Sequence, residues 1–493
     1  MKNIITRIAP SPTARFCHIG NVRTMLYNYF FAKANGGKFY VRLEDTDKDR
    51  YTPEFLDNFR DMCDWLGIKP DASYWDPDPS IGSFVQSERD YSSKISYLLD
   101  NNLAYYAFDT KDDLQSLRDK GLKYDSTTRL TMKNSLTMSG SDVDNAKKDT
   151  PYVVRFLLNP DLDVTFTDAI LGDITINTNV LDDKVLLKSN GIGSYHLCNV
   201  CDDHDMGVTH VMRGNEWVNS TPIHVLLYKA FGWDIPTFVH LPLIMNPDGK
   251  GKLSKRTSMK YGIPISPIGY IDDKGNYQKG WKDLGYDPKS VINTLSLIGW
   301  NPGGDVEIMS MDDIINSFTL DRINKSGARF DMDKAKWINS QHLKITSNTC
   351  LMPYVDLVDD RYDSDKINDI LDLAKDRSDF RSELNDIVKL FFTDPVITSY
   401  KKIDDSFNKV FADFDNLSKD INFDNKDDIK QLIYDTCTSN GLKMGKVMPG
   451  LRMALVGGIS GPDLLTTMRI LGRKETIKRL NNALVGNEIT SNG

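Results

Sequence analysis

A lone histidine near the N-terminus stands where a β-branched stretch gives way to a helical pattern. The stretch "NIITRIAP", residues 3–10, predicts a strand, "SPT" is turn chemistry, and His18 precedes apolar residues at helical spacing. Gly20 comes at the start of this helix, where a phosphate could approach exposed backbone N–H groups. From His-Ile-Gly alone, a capping or packing role for His18 is more common than a catalytic one.

A lysine-rich loop is the second candidate for phosphate chemistry. Residues 246–260, "NPDGKGKLSKRTSMK", are rich in turn residues and carry Lys250, Lys252, Lys255 and Arg256. Lysine ammonium groups are compact charges that suit phosphate oxygens. Taken alone, such a loop is more often simply solvated.

The elements around His18 predict the opening of a βαβ unit. "KFYVRLED", residues 38–45, alternates apolar and polar side chains, and Gly36-Gly37 separates it from the preceding helix. Ligands of open α/β sheets bind outside the carboxyl ends of the strands. Residues 10–20 and Glu44 lie at that edge, so His18 is placed where a site is expected.

Composition bounds the class of protein. The chain has 493 residues, 40% of them apolar, and a formal net charge of −8. Six cysteines in this length favour reduced thiols in the cytoplasm over a disulfide framework. The N-terminal residues lack the apolar segment of a signal peptide, and no apolar run reaches the length of a membrane span.

Together these motifs resemble a known family. "TRIAPSPT", "HIGNVRT" and "NGGKFYVRLEDTDKDR" closely resemble the opening of a class I aminoacyl-tRNA synthetase, specifically glutamyl-tRNA synthetase. "KLSKR", about 230 residues after His18, resembles the "KMSKS" signature of the same class. Two signatures in the right order are far more specific than either one. The resemblance spans nearly the whole chain and is strongest in 3–50, 193–260 and 288–342.

The resemblance implies a reaction and its phosphate-binding residues. Glutamate and ATP would form glutamyl-adenylate, and Mg²⁺ would accompany the ATP. His18, Lys252 and Lys255 would stabilise the charge that develops on the phosphates, and no catalytic Ser or Cys is needed because the substrate carboxylate is the nucleophile. The implied ATP-binding residues are His18, Gly20, Asn21, Glu216, Lys252, Lys255 and Arg256.

The segment "GSYHLCNVCDDHDMGVTHVMRGNEW", residues 193–217, resembles the family's amino-acid pocket. Arginine suits a bidentate grip on a carboxylate, although ordinary ion pairs are the alternative for Arg7 and Arg213. Arg7, Tyr195 and Arg213 would meet the side-chain carboxylate, and Glu44 the α-ammonium. The complete set of implied glutamate-binding residues is Arg7, Ala9, Ser11, Glu44, Tyr195, Asn199 and Arg213.

The sequence predicts no metal site of its own. Cys198 and Cys201 form one C-x-x-C with no second pair, and we interpret them as small core residues in an apolar strand pattern. Some family members carry a cysteine zinc site near residues 102–114, but this chain has no cysteine between 64 and 197. We therefore expect no zinc. For Asp45 and Asp47 we expect a salt network rather than a metal site.

Two departures from the family pattern affect the neighbourhood of His18. Ala14 replaces the usual glycine after "SPT", and one extra residue precedes His18, so the turn must be rebuilt. Residues 261–286 are longer than the family pattern at this point. They predict an inserted loop or hairpin with no evident chemistry.

The fold class implied is an α/β Rossmann-type catalytic domain with an inserted α+β acceptor-binding domain and a helical anticodon-binding region. The expected bounds are 1–105 with 188–250 for the catalytic domain, 106–187 for the insertion, 251–330 for the KMSKS-like loop and stem-contact region, and 331–493 for the helical region. Within 441–480, where positive charge predominates, the candidate RNA-binding residues are Lys443, Lys446 and Arg452.

We therefore expect a monomeric, cytoplasmic glutamate–tRNA ligase with L-glutamate, ATP and tRNA(Glu) as partners and no membrane association. Three alternatives remain: a glutaminyl-tRNA synthetase, an inactive synthetase-like RNA-binding protein, and a tRNA-modifying glutamyl-transferase that should lack the helical C-terminal half. Some family members also charge tRNA(Gln), and the sequence leaves this choice open.

Overall fold

The computed structural model describes residues 3–356, 359–397, 403 and 406–491. The chain divides into two compact units. The first comprises residues 1–283 and 291–332, and the second comprises residues 284–290 and 333–493.

The strands all lie in the first unit. In chain order they are β1 (Ile5–Ile8), β2 (Lys38–Val41), β3 (Ala72–Ser73), β4 (Ala104–Ala107), β5 (Val153–Phe156), β6 (Asp163–Asp168), β7 (Gly172–Asn177), β8 (Val185–Leu187), β9 (His210–Gly214), β10 (Thr237–Leu241), β11 (Ile244–Met245), β12 (Tyr270–Ile271), β13 (Tyr277–Gln278) and β14 (Ala328–Arg329).

The helices occur in both units, and from residue 333 onward they are the regular elements of the described chain. In chain order they are α1 (Ile19–Ala34), α2 (Glu54–Leu66), α3 (Ser92–Asp100), α4 (Lys111–Asp119), α5 (Gly140–Asp149), α6 (Tyr195–Asp205), α7 (Thr221–Phe231), α8 (Lys255–Lys260), α9 (Pro288–Ser296), α10 (Met311–Ser317), α11 (Met332–Ile345), α12 (Asn348–Leu351), α13 (Ser364–Arg377), α14 (Leu384–Phe392), α15 (Ser406–Leu417), α16 (Lys426–Ser439), α17 (Met444–Val456) and α18 (Leu464–Ser491), which is kinked at Gly472.

Parallel strands bring the predicted site segments to one edge. β1 pairs in parallel with β2, and β2 with β3. β9 pairs in parallel with β10, which pairs in parallel with β6. The Thr209 N–H, just before β9, donates to the Ile5 carbonyl at 3.0 Å, which sets the two groups of strands side by side. The carboxyl ends of β1, β2 and β9 therefore face the same region, as the sequence predicts for an α/β fold.

The strands of segment 106–187 divide between two sheets. β5 joins β4 and β8 in an antiparallel sheet. β6 and β7 instead form a hairpin that extends the sheet of β9 and β10. Part of the segment that the sequence suggests as an insertion thus continues the sheet of β9 and β10. The sequence could not predict this pairing, because an alternating pattern identifies a strand but not its partner.

The predicted strand for Cys198 and Cys201 is wrong, because both lie on α6. Leu197, Cys198, Val200 and Cys201 are buried on this helix at positions i, i+1, i+3 and i+4. A short apolar run of this kind suits a buried strand or a helix, so its local pattern could not decide between them.

The second unit is all-helical in its described part. Apolar faces of α13 to α18 share one core, with Ile370, Phe391, Phe411, Leu432 and Leu451 among its fully buried side chains. This confirms the helical character that the family resemblance implies for this half of the chain. Among the described residues, no helix is long and apolar enough to cross a membrane.

The glycine pair after α1 provides a test of the βαβ packing. A methyl group at Gly37 would overlap the carbonyl of Ile4, which accepts the Lys38 N–H at 2.9 Å. Gly36 has φ +62° and open space around its Cα, a conformation that Asn also adopts. We expect Gly37→Ala to lower stability by about 1–3 kcal/mol and Gly36→Asn to have little effect, measured by thermal unfolding. An equal effect of both changes would contradict the proposed close contact.

Candidate active site

A cavity of about 880 Å³ opens at the carboxyl ends of β1, β2 and β9. Its walls bring together segments that are up to about 250 residues apart in the chain. Arg256 is exposed on α8 and is not among the lining residues. The predicted residues that line the cavity are Arg7, Ala9, Ser11, His18, Gly20, Asn21, Glu44, Tyr195, Asn199, Arg213, Glu216, Lys252 and Lys255.

His18 caps α1 and is held in one protonation state. Its Nδ1 accepts the Gly20 N–H at 2.9 Å, and its carbonyl accepts the N–H groups of Asn21 and Val22. Burial, with the nearby charge of Lys252, lowers the pKa of His18 to about 4. The neutral ring with Nδ1 as acceptor must carry its proton on Nε2, so His18 is both a cap and a hydrogen-bond donor available at the cavity wall.

The lysines of "KLSKR" supply exposed positive charge beside His18. Lys252 Nζ lies 2.9 Å from Glu216 Oε1, and both side chains are about half exposed. Lys255 is the first residue of α8 and is exposed, with Nζ 5.6 Å from the centre of the Phe16 ring. The loop thus places two cations at the same end of the cavity as His18, where Lys252 meets the carboxylate of Glu216 from the chain after β9.

Arg7 is part of a buried ion network. Its Nε and Nη2 donate to Asp203 at 2.9 and 2.8 Å, and Arg42 Nη1 donates to the same carboxylate at 2.8 Å. With its amide oxygen facing Arg7, Asn199 accepts from Arg7 Nη2 and donates to Asp203, each at 3.2 Å. The ion-pair interpretation therefore holds for Arg7, which nevertheless lines the cavity.

Glu44 follows β2 and reaches the cavity beside this network. Its N–H donates to the Pro10 carbonyl at 3.0 Å, which joins the chain after β2 to the turn after β1. Burial raises the pKa of Glu44 to about 7, although the positive charges of Arg42 and Arg7 act in the opposite direction. A cationic group that entered the cavity would favour the ionised carboxylate.

Arg213 is buried at the end of β9 and holds four protein acceptors. Its Nε donates to His240 Nε2 at 3.1 Å, and its Nη2 donates to Thr221 Oγ1 at 2.8 Å. Its Nη1 lies 3.1 Å from both the Tyr195 hydroxyl and His224 Nδ1. None of these partners is a carboxylate, so the ion-pair interpretation fails for Arg213.

The histidines around Arg213 must be neutral to accept its N–H groups. His240 Nδ1 lies 2.7 Å from Asp168 Oδ2, so its proton sits on Nδ1 and its Nε2 lone pair faces Arg213. Burial lowers the pKa of both His240 and His224. Arg213 is therefore fixed in place without being neutralised, which leaves its charge available to an anionic ligand.

Sequence analysis missed the residues that support these arginines. They come from α6, α7, β10 and β6, and the relevant ones are Asp203, Thr221, His224, His240 and Asp168. The available signal was positional: Asp168 and His240 lie in strands of the sheet that also carries Arg213. Which acceptor meets which guanidinium depends on the strand pairing Arg213 with His240, which no local motif states.

Asp45 and Asp47 form ion pairs, and Cys198 and Cys201 are buried thiols. Asp45 pairs with Lys48 at 2.7 Å and Asp47 with Arg50 at 2.5 Å, as the expected salt network requires. Cys198 and Cys201 are buried, and burial raises the pKa of both thiols. No group of three or more potential metal-ligating side chains occurs in the described part of the chain. The expectation of no zinc stays a prediction.

In the second unit, the basic stretch 441–480 sorts into paired and exposed cations. Four of its cations bind acidic partners: Arg469 binds Asp369, Arg473 binds Asp415, Lys478 binds Asp394, and the buried Arg479 binds Glu475. Of the three candidates, Lys443 and Lys446 are exposed at the start of α17. Arg452 is half-buried and donates to the Pro462 carbonyl.

Comparison with known families divides the chain in the same way. Residues 3–337 match the family described as "tRNA synthetases class I (E and Q), catalytic domain". Residues 348–484 match an "Anticodon binding domain" family. The glutamate–tRNA ligase of Amoebophilus asiaticus is 40% identical, with 98% of each chain covered. That of Porphyromonas gingivalis is 39% identical, with 98% of this chain and 99% of the relative covered.

Solved structures agree with these relatives. A glutamate tRNA ligase from Elizabethkingia meningosepticum, solved in complex with its amino acid, matches with a TM-score of 0.90 and 38% identity over 98% of this chain and 99% of that one. The glutamate–tRNA synthetase of Elizabethkingia anophelis matches with a TM-score of 0.87 and 38% identity over 98% and 100%. Sequence, site and fold thus converge: the chain belongs to the class I tRNA synthetases of the glutamate and glutamine group.

Proposed function

We propose that this protein is a glutamate–tRNA ligase, which activates L-glutamate with ATP and transfers the glutamyl group to the 3′ end of tRNA(Glu). The observation that carries the choice of glutamate is the buried Arg213, whose charge is fixed by neutral acceptors in the cavity wall. Glutamate offers this charge a carboxylate, whereas glutamine offers an uncharged amide of similar shape. The pocket therefore distinguishes the two substrates by charge.

The glutamate pocket has one contact region for the side-chain carboxylate of the substrate and another for its α-ammonium. Arg213, Arg7 and Tyr195 receive the side-chain carboxylate. Glu44 receives the α-ammonium, and its carboxylate becomes fully ionised when that cation binds. Ala9, Ser11 and Asn199 complete the lining as hydrogen-bonding positions on the β1 turn and α6.

The phosphate end of the cavity carries out the activation step. The α-carboxylate oxygen of glutamate attacks the α-phosphorus of ATP, a new P–O bond forms, and the bond to pyrophosphate breaks. His18 Nε2–H, the backbone at Gly20 and Asn21, and the Lys252 and Lys255 ammonium groups meet the charge that develops on the phosphates. Glu216 and Arg256 complete the proposed ATP set, and Mg²⁺ enters with the nucleotide, bound by its phosphates.

The tRNA meets both units. We assign the acceptor end to segment 106–187 and the anticodon to the helical unit, with Lys443, Lys446 and Arg452 as phosphate contacts. Two of these are exposed and are not engaged in the ion pairs that occupy their neighbours in 441–480. We further propose a monomeric, cytoplasmic enzyme without zinc. Charging of purified tRNA(Glu) and tRNA(Gln) decides which tRNAs it serves.

One assay tests the proposal as a whole: ATP–pyrophosphate exchange with glutamate or with glutamine, with and without total tRNA. We expect exchange with glutamate and much less with glutamine. Preference for glutamine would identify a glutaminyl-tRNA synthetase. Exchange with neither, by a folded protein that binds tRNA, would identify an inactive RNA-binding relative.

Replacement of His18 or Lys255 by Ala should lower kcat by about 10²-fold, because both groups stabilise charge that exists mainly in the transition state. The KM for glutamate should change little, since neither residue contacts the proposed glutamate subsite. Pyrophosphate exchange measures both quantities. Lys260→Ala, at the exposed far end of α8, is the matched control and should keep the parent kcat. Near-normal turnover of either site variant would remove that residue from the mechanism.

Replacement of Arg213 by Ala should reduce kcat/KM for glutamate by roughly 10²-fold or more and affect the weak glutamine reaction much less. The reason is that a buried cation suits a carboxylate and cannot accept from an amide NH₂. Arg213→Gln should reduce the difference in kcat/KM between glutamate and glutamine further, because the introduced amide can pair with either substrate. Adenylation is measured with each amino acid in the presence of tRNA, and His18→Ala, which should impair both substrates alike, is the comparison. Equal losses in Arg213→Ala would make this residue structural or ATP-linked.

The pKa of about 7 for Glu44 predicts a pH-dependent use of glutamate. The carboxylate must be ionised to bind the α-ammonium, so kcat/KM for glutamate at saturating ATP should fall about tenfold from pH 8 to pH 6. The neighbouring charges, Arg7, Arg42, Asp202 and Asp203, form a buried ion network. Glu44→Gln should lower activity and flatten the profile over this range. A profile of unchanged steepness in that variant would assign the titration to another group.

A further inference from the structure

The two departures from the family pattern lie against each other. Residues 263–281 leave the end of α8, form the β12–β13 hairpin and cover the rebuilt turn that precedes His18. The Ile263 N–H donates to the Ser258 carbonyl at 2.9 Å, so the segment starts directly from the helix of "KLSKR". At its other end, the indole N–H of the buried Trp281 donates to the Pro264 carbonyl at 2.8 Å.

The turn residue Phe16 is buried by this segment. Phe16 forms a small apolar cluster with Ile265 and Tyr270, and each is less than a tenth exposed. The rings of Phe16 and Tyr270 stack with their centres 4.0 Å apart and an angle of 24° between their planes. Their packing gives the lengthened turn an apolar anchor in place of the missing glycine.

The segment also holds the backbone next to His18. The N–H of Ile19, the first residue of α1, donates to the Ile265 carbonyl at 2.8 Å. This is one of the N-terminal N–H groups that a helix cannot satisfy internally. On the solvent side, Arg15 Nε donates to Asp273 at 3.1 Å. Ala14 has no left-handed backbone, so these contacts, and not a special backbone conformation, shape the turn.

We propose that segment 263–281 is a positioning element for His18. Tyr270 acts through Phe16, and the Ile265 carbonyl acts through Ile19, to keep the first turn of α1 and the attached imidazole in place. Neither Tyr270 nor Ile265 lines the cavity, so their effect on the reaction is indirect. The inference rests on the proposed role of His18 in activation.

The test is a pair of substitutions in two backgrounds. Tyr270→Ala should lower the kcat of glutamate-dependent pyrophosphate exchange roughly tenfold, with little change in glutamate KM, because small displacements of a catalytic group are costly. Tyr270→Phe keeps the stacked ring and should restore kcat. Ile271→Ala, at the exposed neighbouring position, is the matched control and should retain the parent kcat.

The second background separates positioning of His18 from a general loss of structure. In a His18→Ala protein, Tyr270→Ala should cause less than a twofold further loss, because the group it positions is absent. Hydrogen exchange of the peptide 14–22 should be faster in Tyr270→Ala and unchanged in Ile271→Ala. If Tyr270→Ala does not fold, Tyr270→Leu, which keeps apolar contact without stacking, is measured in the same two backgrounds and should show a smaller kcat loss with the same dependence on His18.

Three results would overturn the inference. They are a parent-level kcat in a folded Tyr270→Ala or Tyr270→Leu protein, a kcat loss of equal size with and without His18, and hydrogen exchange of the peptide 14–22 that is unchanged in Tyr270→Ala. These are distinguishable from failure of the proposed function. If His18→Ala alone leaves the kcat of pyrophosphate exchange intact, the proposed role of His18 is wrong. If His18→Ala lowers this kcat strongly and Tyr270→Ala does not change it, only the positioning element is rejected.

Discussion

The buried charge of Arg213 is the constraint on which the cavity depends. A guanidinium at this depth needs an acceptor for each N–H group, and a carboxylate would have supplied them most strongly. The protein supplies two histidines, a tyrosine and a threonine instead. These neutral partners meet four of the five N–H groups of Arg213 and leave its charge in place. A carboxylate ligand then gains an interaction that water or an amide cannot match.

This arrangement imposes conditions on residues further away. The two histidines accept only when neutral, which burial ensures, and His240 presents the correct nitrogen only because Asp168 holds the other one. Arg7 follows the opposite design, because Asp203 already pairs with it and with Arg42. The charge of Arg7 is thus largely neutralised by Asp203, whereas no carboxylate neutralises the charge of Arg213. In the proposed pocket, Glu44, beside the neutralised pair, is the anionic contact for the α-ammonium of the substrate.

The phosphate end uses different physics. Burial keeps His18 neutral and the Gly20 N–H occupies its Nδ1, so in the proposed activation step it offers a directed hydrogen bond from Nε2 and no full charge. The full charges come from Lys252 and Lys255, which are exposed and carried by a loop and a short helix. In the proposed mechanism, a hydrogen-bond donor at the sheet edge is combined with cations whose charge solvent screens until the nucleotide binds.

Much of this was available from sequence. The β1–α1–β2 pattern could be predicted, since it depends on local periodicity and turn residues, and the family resemblance implies the helical second half. Of the fourteen residues that the two signatures and the family resemblance predict for glutamate and ATP, thirteen line the cavity and Arg256 is the exception. The strand predicted for Cys198 and Cys201 is wrong, because the four apolar residues of 197–201 are compatible with the period of a strand and with that of a helix.

The amino-acid sequence predicts which groups are present, the order of the first elements that carry them and the sheet edge at which they meet. The partner of each group becomes visible in the folded protein. Asp203 pairs with Arg7, neutral histidines accept from Arg213, and Tyr270 stacks on the turn before His18. The physical reason is that these pairs join residues separated by 11 to 254 positions, and hydrogen bonds and ring stacking act over a few ångströms. Such distances are set by strand pairing and packing, which local sequence does not encode.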